Sequence, residues 1–198
     1  MDSLIRFTHE KQRSANITIS IKSKHPHPPW ALFCDCTPVP VTTDDSFTNK
    51  YSYSSYDLKV HFIDVGQGDA TLLMSDGESM LIDAGDSNQG TKIQSYLQKQ
   101  GISDLKYLFL THPDSDHIGG APVIITKFNI GTVFTSGYQR TDRTNATERL
   151  QETLNYKYIS PVISSLGDNY TLGPCTIKVI GPTTYQSEDQ IYISSGSI

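Results

Sequence analysis

The chain has little cysteine, a single tryptophan, no surplus of positive charge and no long apolar run. Its three cysteines, Cys34, Cys36 and Cys175, are too few for a disulfide framework, and an odd number leaves at least one unpaired within the chain. Cys34 and Cys36 stand one residue apart, poor spacing for a bridge to each other or for a zinc knuckle, so they read as unpaired thiols. Sixteen basic residues against twenty-one acidic ones give a formal charge of -5. That balance excludes a protein that coats nucleic acid through bulk positive charge. It leaves room for a local phosphate site, because a divalent cation reverses the local sign. With no run of about 18 apolar residues, no membrane-spanning helix is expected. The first twenty residues carry charges where a secretory signal needs an apolar core, so no signal peptide is expected either. The compartment stays undetermined.

What is present divides near Asp57. Residues 1–57 hold His-Pro-His-Pro-Pro at 25–29, a Pro-Val-Pro stretch and a Ser/Tyr cluster, and they read as a flexible tail or linker. The domain is expected to span 58–198. Strands are predicted at 58–64, 70–74 and 79–83, the last two joined by a Ser75-Asp-Gly-Glu78 hairpin turn. A helix follows to Gln100, with Ile93, Tyr96, Leu97 and Gln100 at helical spacing and Gly101 as its stop. Leu105–Leu110 reads as a buried strand, 119–127 as a short helix and 131–136 as a strand. A third helix starts near Asn145, with Glu148 in a capping box and Leu150 and Leu154 facing inward. Strands around 159–163 and 175–180 follow. Hairpins and then alternating strands and helices define an α/β class.

The informative segment is Thr111-His112-Pro113-Asp114-Ser115-Asp116-His117-Ile118-Gly119-Gly120. It lies after a strand and before a helix, where open α/β sheets place ligand sites. Two imidazoles and two carboxylates in six positions let one turn present nitrogen and oxygen donors in two directions, which suits a pair of divalent ions. The simpler alternative is a capped turn, in which aspartates satisfy helix amides and histidines bind nothing.

The sequence resembles the metallo-β-lactamase fold family, and within it the hydrolase domain of ComEC-type DNA-uptake proteins. Three stretches carry the resemblance: VHFIDVGQGDATLL at 60–73, LIDAGD at 81–86 and THPDSDHIGG at 111–120. The family motif is His-x-His-x-Asp-His, and Asp114 stands where the second histidine usually sits, a change typical of the ComEC-like branch. The resemblance covers about 58–182 and leaves out 1–57. It implies an αββα sandwich, a mixed sheet with flanking helices, of which this chain holds the first half, with the second half largely missing. It implies up to two divalent ions, zinc or manganese. His112 and Asp114 would serve the first ion, and Asp116 and His117 the second. Asp116 would also act catalytically, by orienting or deprotonating the attacking water. Asp83 would support the metal loop from the neighbouring strand. Asp64 and Asp69 flank a Gly-Gln-Gly turn that lacks the Gly-Lys-Ser/Thr ending of a nucleotide loop, so tight-turn geometry is expected there.

The implied activity is hydrolysis of phosphodiesters, DNA above all, by metal-bound hydroxide. The chain departs from the family in lacking the bridging aspartate and the later histidines of the second half. Truncation, an incomplete site and an exposed sheet face are therefore expected, with water, self-association or a second chain supplying the remaining ligands. Two other readings stay open: a non-catalytic metal- or ligand-binding remnant, and a hydrolase of small lactams or thioesters. ComEC-like relatives often work outside the cytoplasmic membrane, a compartment the resemblance leaves open for this chain.

Overall fold

The computed structural model describes residues 58–135 and 144–180, together with the backbone pairing of short strands at 6–8, 15–20, 31–36, 184–187 and 190–193. Strands β1 (Arg6–Thr8), β2 (Ala15–Ser20) and β3 (Ala31–Cys36) fall within the stretch read as a tail, which did not anticipate them. Then come β4 (Lys59–Phe62), β5 (Thr71–Ser75) and β6 (Glu78–Ile82), followed by helix α1 (Gly90–Lys99) and β7 (Asp104–Leu110). Two short helices, α2 (Ser115–Ile118) and α3 (Ala121–Lys127), lead into β8 (Asn129–Thr135). Helix α4 (Asn145–Tyr156), β9 (Val162–Ile163) and the hairpin β10 (Asn169–Leu172) and β11 (Cys175–Val179) follow. A two-stranded ribbon, β12 (Thr184–Ser187) and β13 (Gln190–Ile193), comes last.

The main sheet has the order β4-β5-β6-β7-β8-β9, antiparallel through β6 and parallel from β6 onward. The β5–β6 turn is the Asp76-Gly77 pair, both at positive φ, as a two-residue hairpin loop requires. Alternation along the strands separates two cores. Leu72, Leu81, Leu108, Leu110 and Val133 pack with Ile93 and Leu97 of α1, Ile124 and Ile125 of α3, and Leu150 and Leu154 of α4. On the opposite face, Leu73, Met80, Ile82, Phe109 and Phe134 pack with Leu172, Cys175, Ile177 and Val179.

That second core corrects the expected exposed sheet face. Met80, Ile82 and Phe109 are 0–1% exposed because the β10–β11 hairpin lies on them. Glu78 fixes the hairpin, accepting hydrogen bonds from Lys106 Nζ at 2.7 Å and from Gly173 N at 2.5 Å. Through β11 the hairpin joins a five-stranded sheet of order β1-β2-β3-β11-β10. Cys175 is buried and disulfide-bonded, so the reading of unpaired thiols does not extend to it, and its register partner on β3 is Cys36.

Smaller corrections have local causes. The helix expected over 119–127 is α3, which begins two residues later, and the short helix α2, which was not expected, precedes it across Gly119-Gly120. The capping box of α4 pairs Thr144 with Thr147, whose hydroxyl bonds back to Thr144 N at 3.0 Å, so the box lies one residue earlier than the Glu148 reading placed it. Among the described residues no helix is long and apolar enough to cross a membrane.

Candidate metal centre

The site forms at the carboxyl ends of β6 and β7, which are adjacent and parallel. β6 runs directly into Asp83, fully buried and at φ +57°, a left-handed conformation that aspartate tolerates better than most residues. Asp83 Oδ1 accepts the Thr111 amide at 2.9 Å, and Oδ2 accepts the Thr111 hydroxyl at 2.7 Å. Oδ2 also accepts from His117 Nδ1 at 2.7 Å. The metal loop is laced to its neighbours through backbone: Ala84 N donates to His117 O at 2.8 Å and Gly120 N to Gly85 O at 3.1 Å. Gly120 sits so close to the Ala84 carbonyl that a Cβ there would run into it, which is why the helix pair needs glycine at this step.

These hydrogen bonds determine which ring nitrogens can take a metal. The single hydroxyl proton of Thr111 goes to Asp83, so His112 Nδ1, 3.0 Å from Thr111 Oγ1, must be the donor in that contact. A neutral His112 therefore carries its lone pair on Nε2. His117, donating from Nδ1 to Asp83, likewise carries its lone pair on Nε2 when neutral. The two rings lie 3.9 Å apart between centroids. His112 Nε2 is buried without a hydrogen-bond partner, 3.4 Å from Asp114 Oδ2. His117 Nε2 lies 3.9 Å from Asp69 Oδ2.

The electrostatics are those of a cation site. Burial, then the positive charge of His117, pushes the His112 pKa below its ordinary value. Burial also opposes charge on His117, but the carboxylates of Asp83, Asp69 and Asp116 outweigh it and raise its pKa to about 9. Burial lifts Asp69 above the usual carboxylate range; His117 draws it down, and Asp83 and Asp116 add to the rise.

Donor atoms of Asp83, His112 and His117 all fall within 4.8 Å of one another, a spacing that can hold an ion. Of the three, Asp83 is already committed to three hydrogen bonds, which leaves the two imidazoles as available donors. Of the four loop residues expected as ligands, His112, Asp114 and His117 are nearly or wholly buried, while Asp116 accepts from Gln67 Nε2 at 3.3 Å. Two members of the site were not expected there: Asp69, read only as part of a tight turn, and Thr111, whose hydroxyl bridges Asp83 and His112.

Comparison with known proteins agrees with this architecture. Residues 63–190 match the metallo-beta-lactamase superfamily, and the chain belongs to that superfamily. It is similar to Recombination protein 2 of Haemophilus influenzae, 43% identical over 75 residues, which are 35% of this chain and 9% of that protein. It is also similar to Exodeoxyribonuclease YycJ of Bacillus anthracis, 26% identical over 138 residues, 68% of this chain and 50% of that one. The chain thus spans half or less of the length of these curated relatives. Among solved structures, a metallo-beta-lactamase of the HARLDQ motif from Cronobacter sakazakii aligns at 18% identity and a TM-score of 0.42, covering 58% of this chain and 46% of that one.

Proposed function

We propose that this chain is a metal-dependent phosphodiesterase of the ComEC-like branch, acting on DNA, with His112, Asp114, Asp116 and His117 as ligands for up to two zinc or manganese ions. The observation that carries this reading is the hydrogen-bond chain through Asp83 and Thr111, which turns both Nε2 lone pairs toward carboxylates in a buried cluster. A buried imidazole nitrogen with no hydrogen-bond partner, 3.4 Å from the Asp114 carboxylate, fits a divalent ion. Bound there, the ions would polarise a phosphoryl oxygen and lower the pKa of a water. Asp83 holds the rings in orientation, and Asp116 would accept the water's proton. The DNA assignment draws support from the names of the two relatives, a recombination protein and an exodeoxyribonuclease.

The test is cleavage of linear single- and double-stranded DNA with zinc or manganese, comparing the chain with His117→Ala. Cleavage that needs metal and falls to background in the variant is expected. Equal cleavage by both proteins would sink the reading. Turnover of a lactam or thioester with DNA untouched would keep the metal centre and reassign its substrate.

A further inference from the structure

We propose that Asp69, carried by the Gly66–Asp69 turn, is a metal-facing carboxylate of this centre, directed at the ion that His117 Nε2 would hold. The proposal rests on the metal-centre reading above and adds to it a donor that lies outside the metal loop.

The first argument is placement. Asp69 Oδ2 lies 3.9 Å from His117 Nε2, the nitrogen that holds the lone pair when the ring is neutral and Nδ1 donates to Asp83. That separation is too long for a hydrogen bond. Two donors sharing one zinc ion at bond lengths of about 2.0–2.2 Å stand about 3–4 Å apart, so the spacing suits a common ion.

The second argument is that the turn is built onto the loop. Asp69 N donates to Asp116 O at 3.3 Å, and Gly85 N donates to Asp69 O at 2.9 Å. Gly68, at φ +100°, presses so closely on the Asp116 carbonyl that a Cβ would collide with it. A turn serving only to reverse the chain would need glycine for its φ alone; this one also needs the missing side chain to reach the metal loop. Gln67 completes the contact by holding the Asp116 carboxylate.

The third argument is charge. Two carboxylates flank the one imidazole of His117, Asp83 Oδ2 at 2.7 Å from Nδ1 and Asp69 Oδ2 at 3.9 Å from Nε2, so Asp69 adds negative charge on the metal side of the ring. The other aspartate of the turn behaves differently. Asp64 accepts the Gly66 amide at 3.1 Å and pairs with Lys92 at 3.4 Å, with its side chain 88% exposed. Asp64 shapes the turn, and Asp69 faces the centre.

The experiment measures zinc affinity by competition with a chromophoric chelator, using the full chain, Asp69→Asn, Asp69→Glu, His112→Ala and, as a remote control for lost charge, Asp76→Asn. Asp69→Asn is expected to weaken zinc at least tenfold. Asp69→Glu should recover part of that loss, and Asp76→Asn should stay within twofold of the unaltered chain. Affinity unchanged in Asp69→Asn but lost in His112→Ala overturns the proposal and leaves the metal centre standing. No zinc bound by the unaltered chain overturns both. Should circular dichroism show Asp69→Asn unfolded, anomalous diffraction from the zinc-loaded chain decides: an ion within about 2.5 Å of an Asp69 oxygen is expected. Ions all farther than about 4 Å would refute it.

Discussion

Replacing Asp83 by alanine is expected to cost about 3–5 kcal/mol of folding stability in the metal-free chain, a loss on the scale of a broken buried charged network. The reason is the number of donors left behind. The Thr111 amide, the Thr111 hydroxyl and His117 Nδ1 all give their hydrogen bonds to this one fully buried carboxylate. Each stranded buried donor costs about 1–3 kcal/mol, more when charged. Alanine also tolerates φ +57° less well than aspartate, which adds to the loss. Asp83→Asn should fall between the two, since it keeps the backbone preference and one acceptor but turns an amide toward a donor. Urea unfolding in the presence of EDTA measures this. A loss under about 1 kcal/mol for the alanine variant would show that the network does not hold the loop. Zinc affinity should fall in the same order, because Asp83 fixes which nitrogen of each histidine is free.

The second large effect is a change in the sign of pH dependence between the metal-free and metal-loaded chains. His117 holds its proton in the folded state up to about pH 9, above the ordinary histidine value. Its contribution is therefore complete below about pH 6.5 and disappears as pH rises through about 9. The metal-free chain should lose about 3 kcal/mol across that window, the shift being worth about 1.4 kcal/mol per unit. An ion bound at His117 Nε2 would take the place of that proton, so raising pH would favour the loaded state. Melting temperatures in EDTA should fall from pH 6.5 to 9, while those in excess zinc should hold or rise relative to them. A melting temperature in EDTA that stays flat or climbs would refute the coupling of His117 to its carboxylates.

The candidate metal loop stands out in the sequence because its ligand-type residues are contiguous: His112, Asp114, Asp116 and His117 lie within six positions. The β5–β6 hairpin was readable for the same reason, as Asp76-Gly77 encodes its own turn. Leu150 and Leu154 were placed inward correctly by helical spacing. The misses depend on contacts between distant segments. Asp69 is 48 positions from His117, and the seating of Gly68 against the Asp116 carbonyl, with the backbone bonds of Asp69 to Asp116 and Gly85, brings them together. The cover over Met80 and Phe109 comes from Leu172 and Ile177, on strands too short and polar at alternate positions to announce a packing partner. Glu148 fits the usual capping pattern as well as Thr147 does on paper; the helix start at Asn145 decides for Thr144 and Thr147.

The backbone lacing of the site has a kinetic consequence. Asp69 N to Asp116 O, Gly85 N to Asp69 O, Ala84 N to His117 O and Gly120 N to Gly85 O join three separate loops into one closed circuit. Each loop is bonded to both of the others, so none can fray without breaking its links to the other two. Hydrogen exchange at Asp69, Ala84, Gly85 and Gly120 should therefore proceed through one shared opening, at one common rate-limiting free energy. Loops usually open independently and early, whereas these three share the protection of the strands that carry them.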